Sequence, residues 1–385
     1  MKIGIITFWQ SDDNYGQVLQ CYALQKYLES LGHEPFLIKF SPRTVLNISY
    51  KKRLLKILKI YPLFQYFIEK IKKKKDLQYQ KQLDIKNKRR NFNQFRTENI
   101  RSTEKIYNSL EELRNDPPPA DFYITGSDQV WVMLLDQEDN KGYFLDFGSD
   151  KTKRISYAAS FSREFYPVEF LPQLKHQLSK FDAISVREDV GVKICEGAGF
   201  KAIKTLDPTL LLPKSGYFDD KTIDKIDEKF FYVYSINIRD PKDVCWEEVC
   251  KYGGEKDLKA IVTTSSGHFA GREIFGNVEY SYATIHQWLN NINCAEFVVT
   301  TSFHGVVFCL IMNKNFIYFP LKGHYARGNN RVVSLLNSVG LSDKICWDKD
   351  NLRSCIEHTV EWESVNEKIE DMRLQSIQFL EDSLK

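Results

Sequence analysis

The 385-residue chain reads as an α/β protein built from doubly wound, Rossmann-like units. Three observations predict this. The chain opens strand-helix-strand. The same alternation resumes after the linker DPPPA at 116–120 and again after residue 229. A proline-punctuated stretch, LDPTLLLPKSGYF at 206–218, interrupts the alternation once, where Pro and Gly break elements and the chain must change direction. At about 100–200 residues per domain the length suits two or three domains. We expect an N-terminal domain over 1–212 carrying a basic helical insertion at about 45–100, a second domain over 213–350, and a C-terminal helix within 351–385 that packs back on both.

Each element has its own signal. KIGIITF at 2–8 is an apolar run suited to a buried strand. The polar loop WQSDDNYGQ follows. Leu19, Ala23, Tyr27 and Leu31 then recur at helical spacing, and Gly32 closes the helix. HEPFLIKF supplies the second strand, completing a β-α-β unit. Further strands are expected at 121–125, 154–160, 182–187 and 202–206, and in the second unit at 230–236, 259–264, 296–301 and 315–319. Residues 331–340 and 359–383 read as helices.

Composition removes several function classes. Lys+Arg number 54 and Asp+Glu 51, a net charge of +3, too even for global attraction to nucleic acid. The opening β-α-β lacks GxGxxG, so a dinucleotide site gains no support. The eight cysteines include no CxxC. The closest pair, Cys245 and Cys250 on an expected helix, fits neither a zinc site nor a redox motif. Scattered thiols, a short N-terminal apolar run and no apolar segment near 18–20 residues lead us to expect a soluble cytoplasmic protein. The charge is nonetheless local. Residues 51–75 hold ten Lys or Arg and one acid, Glu69, a net of +9. Pro62 divides that stretch, and Phe64, Phe67, Ile68 and Ile71 form one apolar helical face. It reads either as a solvated charged surface or as a segment that lies on a membrane.

Three expected strand-to-helix turns carry candidate chemistry, because ligands in open α/β sheets bind beyond the carboxyl ends of strands, where helix N-termini favour anions. In NYGQ, Asn14 can cap a helix and Gly16 admits close backbone approach. In GSDQVW, Ser127 and Asp128 bring a hydroxyl and a carboxylate; simple helix capping is the alternative. In TTSFHGVVFCL, Ser302 and His304 stand where a helix begins, and a histidine there can donate a proton or hold an anion. Arg187 ends a strand and Arg331 opens a helix. Each is a bidentate partner for carboxylate or phosphate, or else, as with Glu188 or Asp189 beside Arg187, half of a surface ion pair. One histidine and several arginines, with no carboxylate pair at metal spacing, suggest an anionic substrate handled without a metal or other cofactor.

Seven segments in order, NYGQVLQCYALQ, GSDQVW, YFLDF, RISYAASF, FDAISVRE, LDPTLLL and TSFHGVVF, resemble the polysaccharide pyruvyl transferase family. The resemblance spans nearly all of the chain except the lysine-rich 50–100 stretch. It implies a GT-B-like pair of domains facing a cleft. It also implies transfer of pyruvate from phosphoenolpyruvate to a sugar, as a cyclic ketal, in bacterial capsule or exopolysaccharide assembly. His304 and Asp128 are then the expected proton-transfer residues. Asn14, Gly16, Ser127, Ser160, Arg187, Ser302, Arg327 and Arg331 are the expected substrate-binding set. Some members carry Arg two positions before the histidine. Here Ser302 stands there, so either the missing cation comes from elsewhere, with Arg187, Arg327 and Arg331 as candidates, or the donor is held differently.

The acceptor is expected to be a lipid-linked or nucleotide-linked glycan. The +9 segment would then touch the inner membrane surface, each basic residue contributing roughly 1 kcal/mol. Unchanged liposome sedimentation after neutralising Lys72–Lys75 would remove that expectation. Two rivals stand beside this reading: a glycosyltransferase using a nucleotide sugar, and a non-catalytic polysaccharide-assembly protein.

Overall fold

The computed structural model describes residues 1–42, 78–79, 81–218, 226–265 and 273–385. The basic stretch at 51–75 lies outside them. Two sheets organise the described chain, and every strand pair is parallel.

The first sheet has six strands in the order β2-β1-β3-β4-β5-β6. They are β1 (Lys2–Ile6), β2 (Glu34–Leu37), β3 (Phe122–Thr125), β4 (Lys153–Ala159), β5 (Ala183–Val186) and β6 (Ile203–Lys204). Its helices are α1 (Tyr15–Ser30), α2 (Phe92–Asn99), α3 (Leu110–Asn115), α4 (Leu171–Leu178) and α5 (Asp189–Gly197). The second sheet has five strands in the order β11-β10-β7-β8-β9. They are β7 (Phe230–Ile236), β8 (Lys259–Ser265), β9 (Glu279–Tyr280), β10 (Val298–Thr300) and β11 (Phe316–Tyr318). Around it lie α6 (Trp246–Glu255), α7 (Ile285–Cys294), α8 (Phe303–Ile311), α9 (Asn330–Val339) and α10 (Leu352–Glu357).

The strands are near-continuous apolar runs because helices cover both faces of a parallel sheet. Ile3, Ile5 and Ile6 of β1, Phe230–Tyr234 of β7 and Val298–Val299 of β10 are all buried. In each sheet the strand order reverses once, between β1 and β3 and between β7 and β10. The loops leaving those strands therefore diverge and open a crevice at each reversal.

Helix α1 joins the two halves. The sequence suggests one apolar face, yet Val18, Gln20, Cys21, Leu24, Gln25 and Leu28 are buried as well. The reason is packing on two sides. Leu24 and Leu28 meet Ile3 and Ile5 of the first sheet, while Tyr15 stacks on Trp288 of α7 with ring centroids 4.9 Å apart. One apolar cluster consequently runs from Tyr15 and Val18 through Tyr232, Trp288 and Phe308. The helix ends at Ser30, leaving Leu31 as its cap, and Gly32 takes the left-handed φ of 78° that ends a helix well.

The C-terminal helix α11 (Trp362–Ser383) returns to the first sheet: Leu380 packs with Leu24 and Leu28, and Leu206 N–H donates to Ser376 Oγ at 2.9 Å. Smaller departures from expectation are local. Cys245 is not helical but caps α6 at φ 48°, and the two-residue strand β9 has too little pattern to be foreseen. No described helix is long and apolar enough to cross a membrane.

Candidate active site

The loop after β10 is built by its own hydroxyls. Thr300 Oγ1 donates to Tyr234 O at 2.8 Å and accepts from Ser302 N–H at 3.1 Å. Thr301 Oγ1 donates to Ile236 O at 2.9 Å, and Ser302 Oγ caps α8 by accepting from Gly305 N–H. Gly305 is required by space, since a Cβ there would lie 2.2 Å from Thr300 Oγ1. These bonds fix His304 in the first turn of α8, buried and reaching across to the other domain. There Gly16 receives it: a Cβ at position 16 would sit 2.1 Å from the imidazole ring. Asn14 caps α1 beside it, its Oδ1 accepting from Gln17 N–H. The N-termini of α1 and α8 thus meet at the His304 ring.

The loop after β3 supports this from below. Gly126 has φ 106°, and a Cβ there would press on Tyr157 O at 2.2 Å. Asp128 itself adopts φ 68°, a conformation that costs energy for a residue with a side chain. Ser127 Oγ lies 3.0 Å from Ala158 O and 2.8 Å from Asp207 Oδ2.

Asp207, just beyond β6, is the hub of the buried polar groups. Its Oδ2 takes Ser127 Oγ, accepts from Arg187 Nη1 at 2.6 Å and stands 3.5 Å from His304 Nε2. Its Oδ1 accepts from the N–H and hydroxyl of Thr209 at 3.1 and 2.7 Å. Burial alone would raise its pKa. The neighbouring His304, Arg187 and Thr209 prevail, and hold the carboxyl well below the usual carboxylate range.

Two guanidinium groups flank Phe303. Arg187 lies 4.4 Å from its ring centroid and Arg331 5.7 Å. Arg187 is 2% exposed and paired with Asp207, with Asp128 Oδ1 3.6 Å away. Arg331 has no ion-pair partner among the described residues, and its Nε donates to Gly328 O. Burial, and then repulsion by Arg187, push Arg331 down to about 10.

A cleft of about 930 Å³ opens between the two sheet reversals. Asn14, Asp128, Ser302, His304, Arg327 and Arg331 line it, together with Gln129 and Asn237. The other four expected residues stand behind its walls. Gly16 packs on His304. Ser127 serves Asp207. Ser160 Oγ donates to Glu188 Oε1 at 2.9 Å. Arg187, expected to project from the sheet edge, instead turns inward. Its partner is neither Glu188, which is buried against Ser160 and the Phe161 N–H, nor Asp189, which pairs with Lys204. Asp207 and Phe303 escaped the sequence reading. Asp207 sits in LDPT, and its available signals were an Asp-Pro just past a strand's carboxyl end and its place in LDPTLLL, one of the seven family-like segments. No three described His, Cys, Asp or Glu side chains cluster as metal ligands.

No curated protein matches the chain in sequence. Among solved structures, UDP-N-acetylglucosamine 2-epimerase from Rickettsia bellii superposes with a TM-score of 0.50 at 9% identity, covering 99% of this chain and 96% of that one. UDP-GlcNAc 2-epimerase from Neisseria meningitidis, bound to UDP-GlcNAc, gives 0.50 at 8% identity, covering 99% and 100%. At such identity the likeness concerns the fold alone, which is that of two facing Rossmann-like domains of GT-B type. The sequence profile of the polysaccharide pyruvyl transferases is more specific. It matches residues 14–323, from the cap of α1 to just short of Arg327, and so takes in Asp128, Asp207 and His304. With most of its length under that one profile, the chain belongs to the polysaccharide pyruvyl transferase family.

Proposed function

We propose that this protein transfers pyruvate from phosphoenolpyruvate to a sugar of a bacterial surface polysaccharide, closing a cyclic ketal across two hydroxyls. The observation that supports this best is His304, held at the N-terminus of α8 in a cleft whose wall also carries Arg327 and Arg331. Phosphoenolpyruvate has a phosphate and a carboxylate. Arg331, Arg327 and the free N–H groups of the α8 first turn suit such anions. In this reading Arg331 supplies the cation that Ser302 does not, and Ser302 is kept for capping. Arg187 acts from behind Phe303, through Asp207 and Asp128.

The chemistry needs an acid and a base. His304 protonates the methylene carbon, which makes C2 electrophilic. Asp128 removes the proton of the attacking sugar hydroxyl as the new C–O bond forms. A second hydroxyl then bonds to C2 as its proton passes to the now neutral His304 ring and phosphate leaves, closing the ketal. Asn14 and Gln129, which line the cleft, hold sugar hydroxyls in this scheme. No step in this scheme calls on a further cofactor. The acceptor is a lipid-linked or nucleotide-linked glycan, and the basic segment at 51–75 brings the enzyme to the inner membrane surface.

A thermal-shift titration tests the donor. Phosphoenolpyruvate should stabilise the protein, by about 2.7 kcal/mol at a hundredfold excess over Kd, and inorganic phosphate less. Stabilisation by UDP or UDP-sugars with none by phosphoenolpyruvate would overturn the reading in favour of a nucleotide-sugar glycosyltransferase.

A further inference from the structure

His304 has two ring nitrogens, and which one works depends on what holds the other. The Nε2 atom is buried and has no hydrogen-bond partner; the carboxylate oxygen facing it, Asp207 Oδ2, is 3.5 Å away. That separation is too long for a settled hydrogen bond, as is common at catalytic pairs before a substrate tightens them. The carboxylate itself cannot turn. Thr209 ties Oδ1 by two bonds, and Ser127 and Arg187 tie Oδ2 by two more. Nor is the imidazole free to swing, with Gly16 seated beside its Cβ, Cγ and Nδ1 atoms and the Phe303 ring edge-on at 5.2 Å.

We infer that Asp207 is a positioning residue that keeps a proton on His304 Nε2 and so leaves Nδ1 as the nitrogen that exchanges protons in the cleft. The inference rests on the phosphoenolpyruvate reading for its chemistry, but its geometry is independent of it. An ionised carboxylate accepts and cannot donate, so a proton on Nε2 is favoured by both charge and direction. When Nδ1 also carries a proton, Asp207 faces an imidazolium and stabilises it. Transfer then breaks the Nδ1–H bond and forms a C–H bond on the phosphoenolpyruvate methylene, using the electron pair of its double bond. The ring is left neutral with Nε2 still protonated. Arg187 and Ser127 keep Asp207 ionised and aimed, which accounts for a buried arginine that never reaches the cleft.

The test is nitrogen NMR of protein labelled at its seven histidine rings, with His304 assigned by the signal lost in His304→Gln. At a pH where the ring is neutral, the wild type should show Nε2 protonated and Nδ1 bare. A neutral wild-type ring protonated on Nδ1 would overturn the inference without needing any variant. Asp207→Asn should lose the fixed tautomer and lower turnover about 100-fold, while phosphoenolpyruvate still stabilises the protein as before. An unchanged tautomer in Asp207→Asn would equally overturn it. If wild type shows the Nε2–H form but ignores phosphoenolpyruvate, the positioning stands and the donor assignment fails.

Discussion

Arg187 and Arg331 lean on the same phenylalanine, yet they belong to different regions. Arg187 lies buried in a closed wall, where its charge is met by Asp207, a carboxylate that Ser127 and Thr209 hold in turn. Arg331 lies in an open wall with Arg327 and His304, and no described carboxylate pairs with it. The first arginine is neutralised by the protein. The second has an unmet charge pushed further from comfort by the first. A buried ion pair gives little net stability but is costly to break, whereas an unpaired guanidinium at a cleft is available to an anion. The same residue type therefore builds the site in one wall and, in the proposed function, meets the ligand in the other.

The sharpest way to break this comparison is to truncate each arginine. Arg187→Ala leaves Asp207 buried without its cation and should cost about 3–5 kcal/mol in chemical denaturation. Arg331→Ala should cost about 1 kcal/mol or less, because no ion pair is lost and repulsion between like charges is relieved. Equal losses would erase the distinction between the walls. Next in size is Gly16→Ala. Its Cβ would meet the His304 ring at 2.1 Å and push the imidazole aside, lowering turnover about 100-fold with a stability cost of about 1–3 kcal/mol. Normal turnover in that variant would show that the ring needs no such seat.

The smallest effect is acid sensitivity. Asp207 has its carboxyl pKa depressed in the folded protein. Its stabilisation is therefore complete above the unfolded carboxylate pKa of about 4 and is lost as the pH falls below it. The stability gap between wild type and Asp207→Asn should narrow over that acid range, and a gap that stays constant would contradict the ionised hub.

Much of the open wall was legible in the sequence. His304, Ser302 and Asp128 follow strands in Gly- and hydroxyl-rich turns, and residues of that kind at the carboxyl edge of a parallel sheet face a crevice. The closed wall was not legible, because burial is a tertiary property. Nothing in AISVRED says that Arg187 folds back while Glu188 goes under Ser160. Asp207 looked like part of a proline-rich boundary, since its partners lie 20 residues away at Arg187 and 80 away at Ser127. The fold was clearer, because parallel strands advertise themselves as apolar runs. Helix α1 was read as one-sided only because its second neighbour, Trp288, arrives from the other domain.

The central claim is that the open wall, and Arg331 in particular, holds a small donor with two anionic groups. Calorimetric titration of phosphoenolpyruvate into wild type and Arg331→Ala tests it directly. The account predicts one saturable site in wild type and binding at least about tenfold weaker in the variant, the worth of a charge-assisted bidentate contact. Equal affinity in both proteins, or heat from UDP and none from phosphoenolpyruvate, would contradict it.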